Sequence, residues 1–267
     1  MSTQSQFDEI MRKIAQDYGK LNAKQQEFAI KEFGRIRGEI SDLLAEYSGD
    51  DGTVKRQRLS KLLRDLESIE ANVRKNGMVT LQSIIEESSE FTTRAISGAL
   101  TDIAGAAAIS GVVMDRINTD VARYVISRFG EDGLVLSDRV WNVSGDIRDE
   151  MSKTLRAGII RGESVSALIK RIRAVHDNES WKIRRLVVTE GNTTYRTATA
   201  YNAQRSDVVE GIKINDRPGH NNHTKHRCYI LSHEDKYGMG LGVYKSTDSE
   251  IFSPHPNCTS YITYVLK

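Results

Sequence analysis

The chain has 267 residues, 39% of them apolar and 28% charged, and its 38 Lys and Arg nearly balance its 36 Asp and Glu, for a net charge of +2. That is a globular composition with enough length for a substantial core, so folding requires neither a disulfide nor a metal. The charge balance argues against a dedicated nucleic-acid or membrane binder. With only two cysteines a disulfide framework is excluded, and free thiols, one bridge or metal ligands remain.

The opening "MSTQSQFDEIMRK" lacks the basic-then-apolar order of a signal peptide, and no apolar run approaches the ~18 residues of a membrane span. A cytosol-like compartment is expected. From Phe7 to about Tyr47, apolar residues recur at three and four (Phe7, Ile10, Met11, Ile14, Tyr18, Leu21, then Phe33, Ile36, Ile40, Leu43, Leu44). This is helical spacing, and "GDDGT" breaks it. Leu59, Leu62, Leu63, Leu66, Ile69 and Val73 predict a second helix, with Gly77 of "KNG" suited to a left-handed cap, so an antiparallel helical hairpin is expected.

Between 78 and 128 the pattern stays helical but turns to small residues in "AISGALTDIAGAAAISGVV", as in tightly packed helices or in a segment that stays flexible until a partner covers it. Ser137 reads as the N-cap of a helix carrying Val140, Ile147, Met151, Leu155 and Ile159, which Gly162 closes. Ser164 caps the next helix, with Leu168, Ile169, Ile172 and Val175 toward the core, and a further helix runs from about Ser180 to Ala203. "VVEGIKI" and "YITYV" are β-like and flank a polar, Gly- and His-rich stretch. The expected fold class is α+β, mostly helical. A helical N-terminal region (1–130) precedes a second domain (131–267) that is helix-rich and ends in a small β unit.

Five of the six histidines (His220, His223, His226, His233 and His255) fall late in the chain together with Cys228 and Cys258. The spacings His226-x-Cys228-x4-His233 and His255-x2-Cys258 give two ligand pairs joined by a loop, as in small tetrahedral zinc sites. Imidazole and thiolate suit a borderline-soft ion, which could clamp a segment poor in apolar residues. Cys228, His233, His255 and Cys258 are the candidate ligands of a structural zinc. Solvated histidines with two small buried cysteines, or a Cys228 to Cys258 bridge, are the other readings. "HNNHTKH" with "HPNC" also evokes a metal-dependent nuclease, but no helix follows "HPNC" to complete a strand-turn-helix site.

Glu234 and Asp235 are available carboxylates of a kind usually solvated in turns. The stretch 153–185 holds nine Lys and Arg and could meet nucleic acid. Glu190 and Arg196 lie six apart on a helix, so each is expected to bond a different neighbour. The sequence has no phosphate loop, nucleophile elbow or HExxH, which points away from an enzyme.

In order, the C-terminal pieces are "LRAGIIRGESVSALIKRI", "RRLVVTEGNTTYRTATAYNAQ", "VVEGIKI", "HRCYILSHEDKYG" and "PHPNCTSYI". Together they resemble the phage Mu F-like minor head proteins, the head morphogenesis proteins of tailed bacteriophages. In that family the ending is typically His-Pro-x-Cys-Arg followed by Cys or Ser, so Thr259 departs from the pattern and no cation stands there. The resemblance implies a low-copy, non-catalytic capsid component at the portal vertex, acting in head assembly or early DNA ejection. The implied partners are the portal protein and the major capsid or scaffolding protein, with viral DNA through 153–185 and no membrane. It also implies a place inside the virion near the portal, and the host cytoplasm during assembly.

Overall fold

A computed structural model describes residues 3–105, 109–216 and 223–267. The fold is mostly helical α+β. In chain order it has α1 (Thr3–Phe33), α2 (Ile36–Tyr47), α3 (Leu59–Ala104), α4 (Gly111–Ser127), α5 (Leu136–Arg161), α6 (Val165–Gln204), β1 (Val209–Asn215), α7 (Arg227–Ser232), β2 (Val243–Tyr244) and β3 (Tyr261–Leu266). Among the described residues no helix is long and apolar enough to cross a membrane. The chain packs as two compact units. One comprises Met1–Gln25, Gln82–Leu136 and Arg185–Lys267, and the other Gln26–Leu81 and Ser137–Arg184.

The second unit is helical. Its buried residues include Phe33, Ile36, Ile40, Leu44, Leu62, Leu66 and Val73, then Val140, Ile147, Met151, Leu155, Ile159, Leu168 and Ile172. These repeat at three and four along α2, α3, α5 and α6, the periodicity of a helix with one core-facing stripe. The "GDDGT" break is a loop pinned in place. Val165 N donates to Gly52 O at 2.9 Å, and Thr53 bridges Ser164. Gly162, at φ +73°, ends α5, and Ser164 caps α6 by accepting from Ala167 N at 3.3 Å.

Three helix boundaries differ from the sequence expectation. Gly77 does not end a helix, because α3 runs through it to Ala104. A Cβ there would lie 2.6 Å from the Phe33 ring and 3.2 Å from Val140, so the bare Cα serves close packing and not a left-handed cap. Helix α5 starts at Leu136, which places Ser137 inside it. The two helices expected after Gly162 are one 40-residue helix, α6, since "HDNES" contains neither Gly nor Pro to interrupt it. Residues 106–108 of the small-residue stretch lie outside the described residues, with α3 ending before them and α4 beginning after.

In the first unit β1 is the central strand, flanked by β2 and β3, both antiparallel to it. Ile212 pairs with Tyr244 on one side and Tyr264 on the other. The inward residues Ile212, Ile214, Tyr244, Ile262 and Tyr264 are buried in one cluster with Phe7, Met11, Tyr18 and Tyr195. Tyr18 stacks on Tyr195 at 4.6 Å and Phe7 on Tyr264 at 5.7 Å. These aromatic contacts fasten α1 and α6 to the sheet and to each other. The outer edge of β3 is closed by one side chain. The Gln4 amide donates to Tyr264 O and accepts from Leu266 N, both at 2.8 Å, as a neighbouring strand would.

Candidate metal centre

The second half of α6 is polar yet buried: Thr193, Thr194, Arg196, Thr197, Thr199 and Asn202 are all nearly inaccessible. A helix tolerates this because its hydroxyls turn back on their own backbone. Thr189 donates to Arg185 O, Thr193 to Thr189 O, Thr194 to Glu190 O and Thr199 to Tyr195 O, at 2.7–2.8 Å. Two charged side chains of the same stretch hold other segments. Glu190 accepts from Arg128 at 2.9 Å in a fully buried ion pair, while Arg196 reaches elsewhere, as the six-residue spacing predicts.

Thr189, Asn192 and Arg196 lie at i, i+3 and i+7, one face of the helix. Thr189 Oγ1 accepts from Asn257 N at 2.8 Å. Asn192 donates to Cys258 O at 2.8 Å. Arg196, 1% exposed, donates from Nε to Phe252 O at 2.7 Å and from Nη1 to Ser260 O at 3.0 Å and Cys258 O at 3.4 Å. These bonds shape the "SPHPNCTS" turn, including the left-handed Asn257 at φ +60°. The turn therefore carries its two ligand candidates, His255 and Cys258, on a template built from α6.

The opposing candidates come from α7. His226 is its N-cap residue and Cys228 sits in its first turn, buried. His255 Nε2 lies 3.1 Å from Cys228 Sγ, and the rings of His226 and His255 meet edge to face with centroids 4.8 Å apart. One ligand atom from each of His226, Cys228 and His255 falls within 4.8 Å of the others, so this trio can hold a metal. Cys258, buried in the same turn as His255, acts electrostatically on both Cys228 and His255, and its Sγ lies 3.0 Å from Ser260 Oγ.

The electrostatics favour anionic sulfur. Cys258 is held well below the ordinary thiol range, first by the hydrogen bond from Cys228, then by the Arg196 guanidinium and by His255. Cys228 is pushed up, because its S–H donates to Cys258 and because it is buried. His255 is raised, first by its hydrogen bond with Cys258. The negative charge is thus favoured on Cys258, near the buried Arg196 cation, and disfavoured on Cys228. This is also the state from which a metal would take the sulfur.

The donor set fits a metal ion. His255 Nδ1 lies 2.9 Å from Pro256 O; as the donor there, it leaves Nε2 facing the sulfurs, the orientation that outer hydrogen bonds impose on ligating imidazoles. Tetrahedral zinc with its usual bond lengths places ligand atoms roughly 3.5 Å apart; His255 Nε2 and Cys228 Sγ are 3.1 Å apart, and the ligand atoms of the trio all fall within 4.8 Å of one another.

Of the residues nominated from sequence, Cys228 and His255 stand in this group, Cys258 follows His255 in the same turn outside the group, and His233 lies away from it. It follows α7 as its C-cap, its Nδ1 is 2.9 Å from Tyr229 O, and its exposed ring stacks on Tyr229 at 4.0 Å. Five residues beyond Cys228 is roughly 140° around a helix, so a helical turn carries His233 to the far side. His226 occupies the place it was assigned; a short helix beginning between His226 and Cys228 is the signal that would have found it. His220 lies outside the described residues. Glu234 and Asp235 serve turns, accepting from Tyr244 Oη at 3.4 Å and from Gly240 N at 3.1 Å.

The 153–185 stretch is largely neutralised where it stands. Lys153 pairs with Glu150, Arg161 and Arg171 with Glu163, Lys182 with Asp146 and Glu179, and Arg184 with Glu27. Arg156, Lys170, Arg173 and Arg185 are exposed and form no ion pair among the described residues.

No known protein family, curated protein or solved structure matches this chain.

Proposed function

We propose that the chain is a non-enzymatic minor head protein of a tailed bacteriophage, of the Mu F-like kind, and that one zinc ion on Cys228, Cys258, His255 and His226 closes its C-terminal unit. The observation that carries this reading is where the last four motif pieces go. The threonine-rich part of α6, β1, the segment of α7 and the "HPNC" turn with β3 all pack in one unit, with the cysteines and histidines at their meeting point. Motifs that are weak singly have a common purpose if they build one small domain.

The burial of the sulfurs supports a structural rather than catalytic role. Cys258 is wholly inaccessible and Cys228 is 6% exposed, so a substrate has no path to either. Two thiolates and two imidazoles make a closed tetrahedral set for zinc, which would cross-link α7 to the final turn. In this reading the protein sits inside the virion by the portal vertex after assembly in the host cytoplasm, in contact with the portal protein and with major capsid or scaffolding protein. Arg156, Lys170, Arg173 and Arg185 are the cations left to meet viral DNA.

Two measurements test it. Mass spectrometry of purified proheads and virions should detect the protein in low copy, and its absence at every stage of assembly sinks the head-protein reading. Metal analysis of the purified chain should give one zinc per chain, lost in Cys258→Ser and His226→Ala but retained in His233→Ala. Equal loss in His233→Ala would restore the other histidine to the site.

A further inference from the structure

Away from the metal centre, the first unit holds a cleft of about 370 Å³ between α4 and the end of α6. None of its lining residues is a candidate metal ligand. Helix α4 contributes Asp120, Arg123, Tyr124 and Ser127, at i, i+3, i+4 and i+7, which is one helix face. The end of α6 and the residue after it contribute Tyr201, Gln204 and Arg205 at i, i+3 and i+4, again one face.

The lining combines aromatic surface with positive charge. Tyr124 and Tyr201 are half-buried, and each meets the buried Phe252 ring edge to face, at 5.7 and 6.3 Å, so both rings are braced from behind. The Tyr201 hydroxyl has no hydrogen-bond partner among the described residues, and Arg205 is exposed and forms no ion pair among them. Arg123 reaches Asp120 at 3.3 Å, but the side chains are 73% and 34% exposed, so water competes for the pair and a better anion can replace it. Gln204 spends its amide hydrogen on Ser246 O at 2.6 Å and keeps its side-chain oxygen as an acceptor.

We propose that this cleft binds a nucleoside monophosphate, with the base against the tyrosines and the phosphate on Arg123 and Arg205. Braced aromatic rings stack a base at little cost in side-chain entropy, and guanidinium forks match phosphate oxygens. The oxygens of Asp120 and Gln204 accept from the amino and imino hydrogens of a base edge, groups that a plain inorganic anion lacks. The volume lies at the small end of ligand sites, which suits one nucleotide and not a length of strand. The same chemistry is offered by a free nucleotide and by the phosphorylated end of a single strand.

The test is calorimetric titration of the full chain with AMP, GMP, CMP and UMP, then with the matching nucleoside and with inorganic phosphate. The expected result is saturable binding of at least one nucleotide, with its nucleoside and phosphate each weaker by about tenfold or more. Arg205→Ala should weaken the nucleotide by about tenfold while the thermal midpoint stays unchanged, since the side chain has no ion pair to lose. Tyr201→Leu should weaken it similarly, and Tyr201→Phe should retain most of the binding because the ring remains. No nucleotide binding with a Kd below about 1 mM, phosphate alone binding as tightly as the nucleotide, or full affinity in Arg205→Ala overturns the site. A 5′-phosphorylated oligonucleotide that displaces the nucleotide identifies a strand end as the source, and failure to displace it identifies the free nucleotide; both support the site. Neither the zinc reading nor the head-protein reading depends on the outcome.

Discussion

The two units solve the same packing problem with different chemistry. In the second, buried residues are overwhelmingly aliphatic and repeat along each helix, and the charged residues between them form ion pairs on the outside. In the first, a helix face of threonine, asparagine and arginine is buried and holds a loop by named hydrogen bonds. Apolar contacts are non-directional and tolerate adjustment. A buried polar network depends on each partner, since any group left unpaired bears its full desolvation cost. The loop that carries His255 and Cys258 is thus specified by direction, whereas the helical unit is specified mainly by pattern.

The largest effect should come from the centre of that network. Arg196→Met removes the donors to three carbonyls, those of Phe252, Cys258 and Ser260, while keeping most of the side-chain volume. A loss of about 3–5 kcal/mol is expected in chemical denaturation, with amide protection falling first around 252–260. A loss under about 1 kcal/mol would mean that the turn holds itself and that the contrast between the units is overdrawn.

Leu62→Ala is the counterpart in the helical unit. Leu62 is wholly buried, and its truncation should cost about 2–5 kcal/mol, depending on how far the neighbours collapse into the space. Zinc stoichiometry of the folded protein should be unchanged, because the ligand turn is templated by α6 residues 189–196 in the other unit. Loss of zinc in folded Leu62→Ala would break the separation.

The helical unit also holds a titratable exception. His176 is fully buried and its pKa is lowered, first by burial and then by the Arg37 guanidinium, against a weaker opposing pull from Asp177. The folded state therefore disfavours the proton relative to the unfolded chain, whose histidine titrates near about 6.5. The sign follows: stability is fully present above that pH, falls as pH drops through it because the unfolded state binds the proton first, and levels off below the folded value. Denaturation midpoints from pH 7.5 down to pH 5 should show this decline, and His176→Gln should flatten it. An unchanged slope would place the acid sensitivity elsewhere.

How much of this was legible in the sequence follows the same division. The aliphatic repeats of Leu62, Leu66, Val73 and Ile147, Met151, Leu155 located the helices, and Gly162 with Ser164 located a turn, because periodicity and caps are local signals. Gly77 misled because the same residue serves a left-handed cap and a close helix contact, and only the packed Phe33 ring distinguishes them. At the candidate metal centre the cysteines and His255 stood out by type and crowding, but the placing of His226 beside them and of His233 away from them depended on where a six-residue helix starts. That Arg196 would bond a neighbouring segment was legible, but which segment, and the roles of Thr189 and Asn192, were not. A polar helix stretch reads as solvent-facing until the loop that covers it is known.

The smallest effect should come from the surface charges of the helical unit, and it bears directly on what holds that unit together. Arg184 reaches Glu27 at 2.7 Å, but the side chains are 45% and 67% exposed. Water and salt screen such a pair, and ordering two long side chains offsets most of the attraction, so Arg184→Ala should cost no more than about 0.5 kcal/mol. The cost should shrink further as salt is raised. Measured beside Leu62→Ala in the same buffer, the ratio shows whether pattern alone specifies this unit. A cost for Arg184→Ala approaching that of the leucine, and persisting at high salt, would mean that its ion pairs also act by direction, as the buried bonds of Arg196 do.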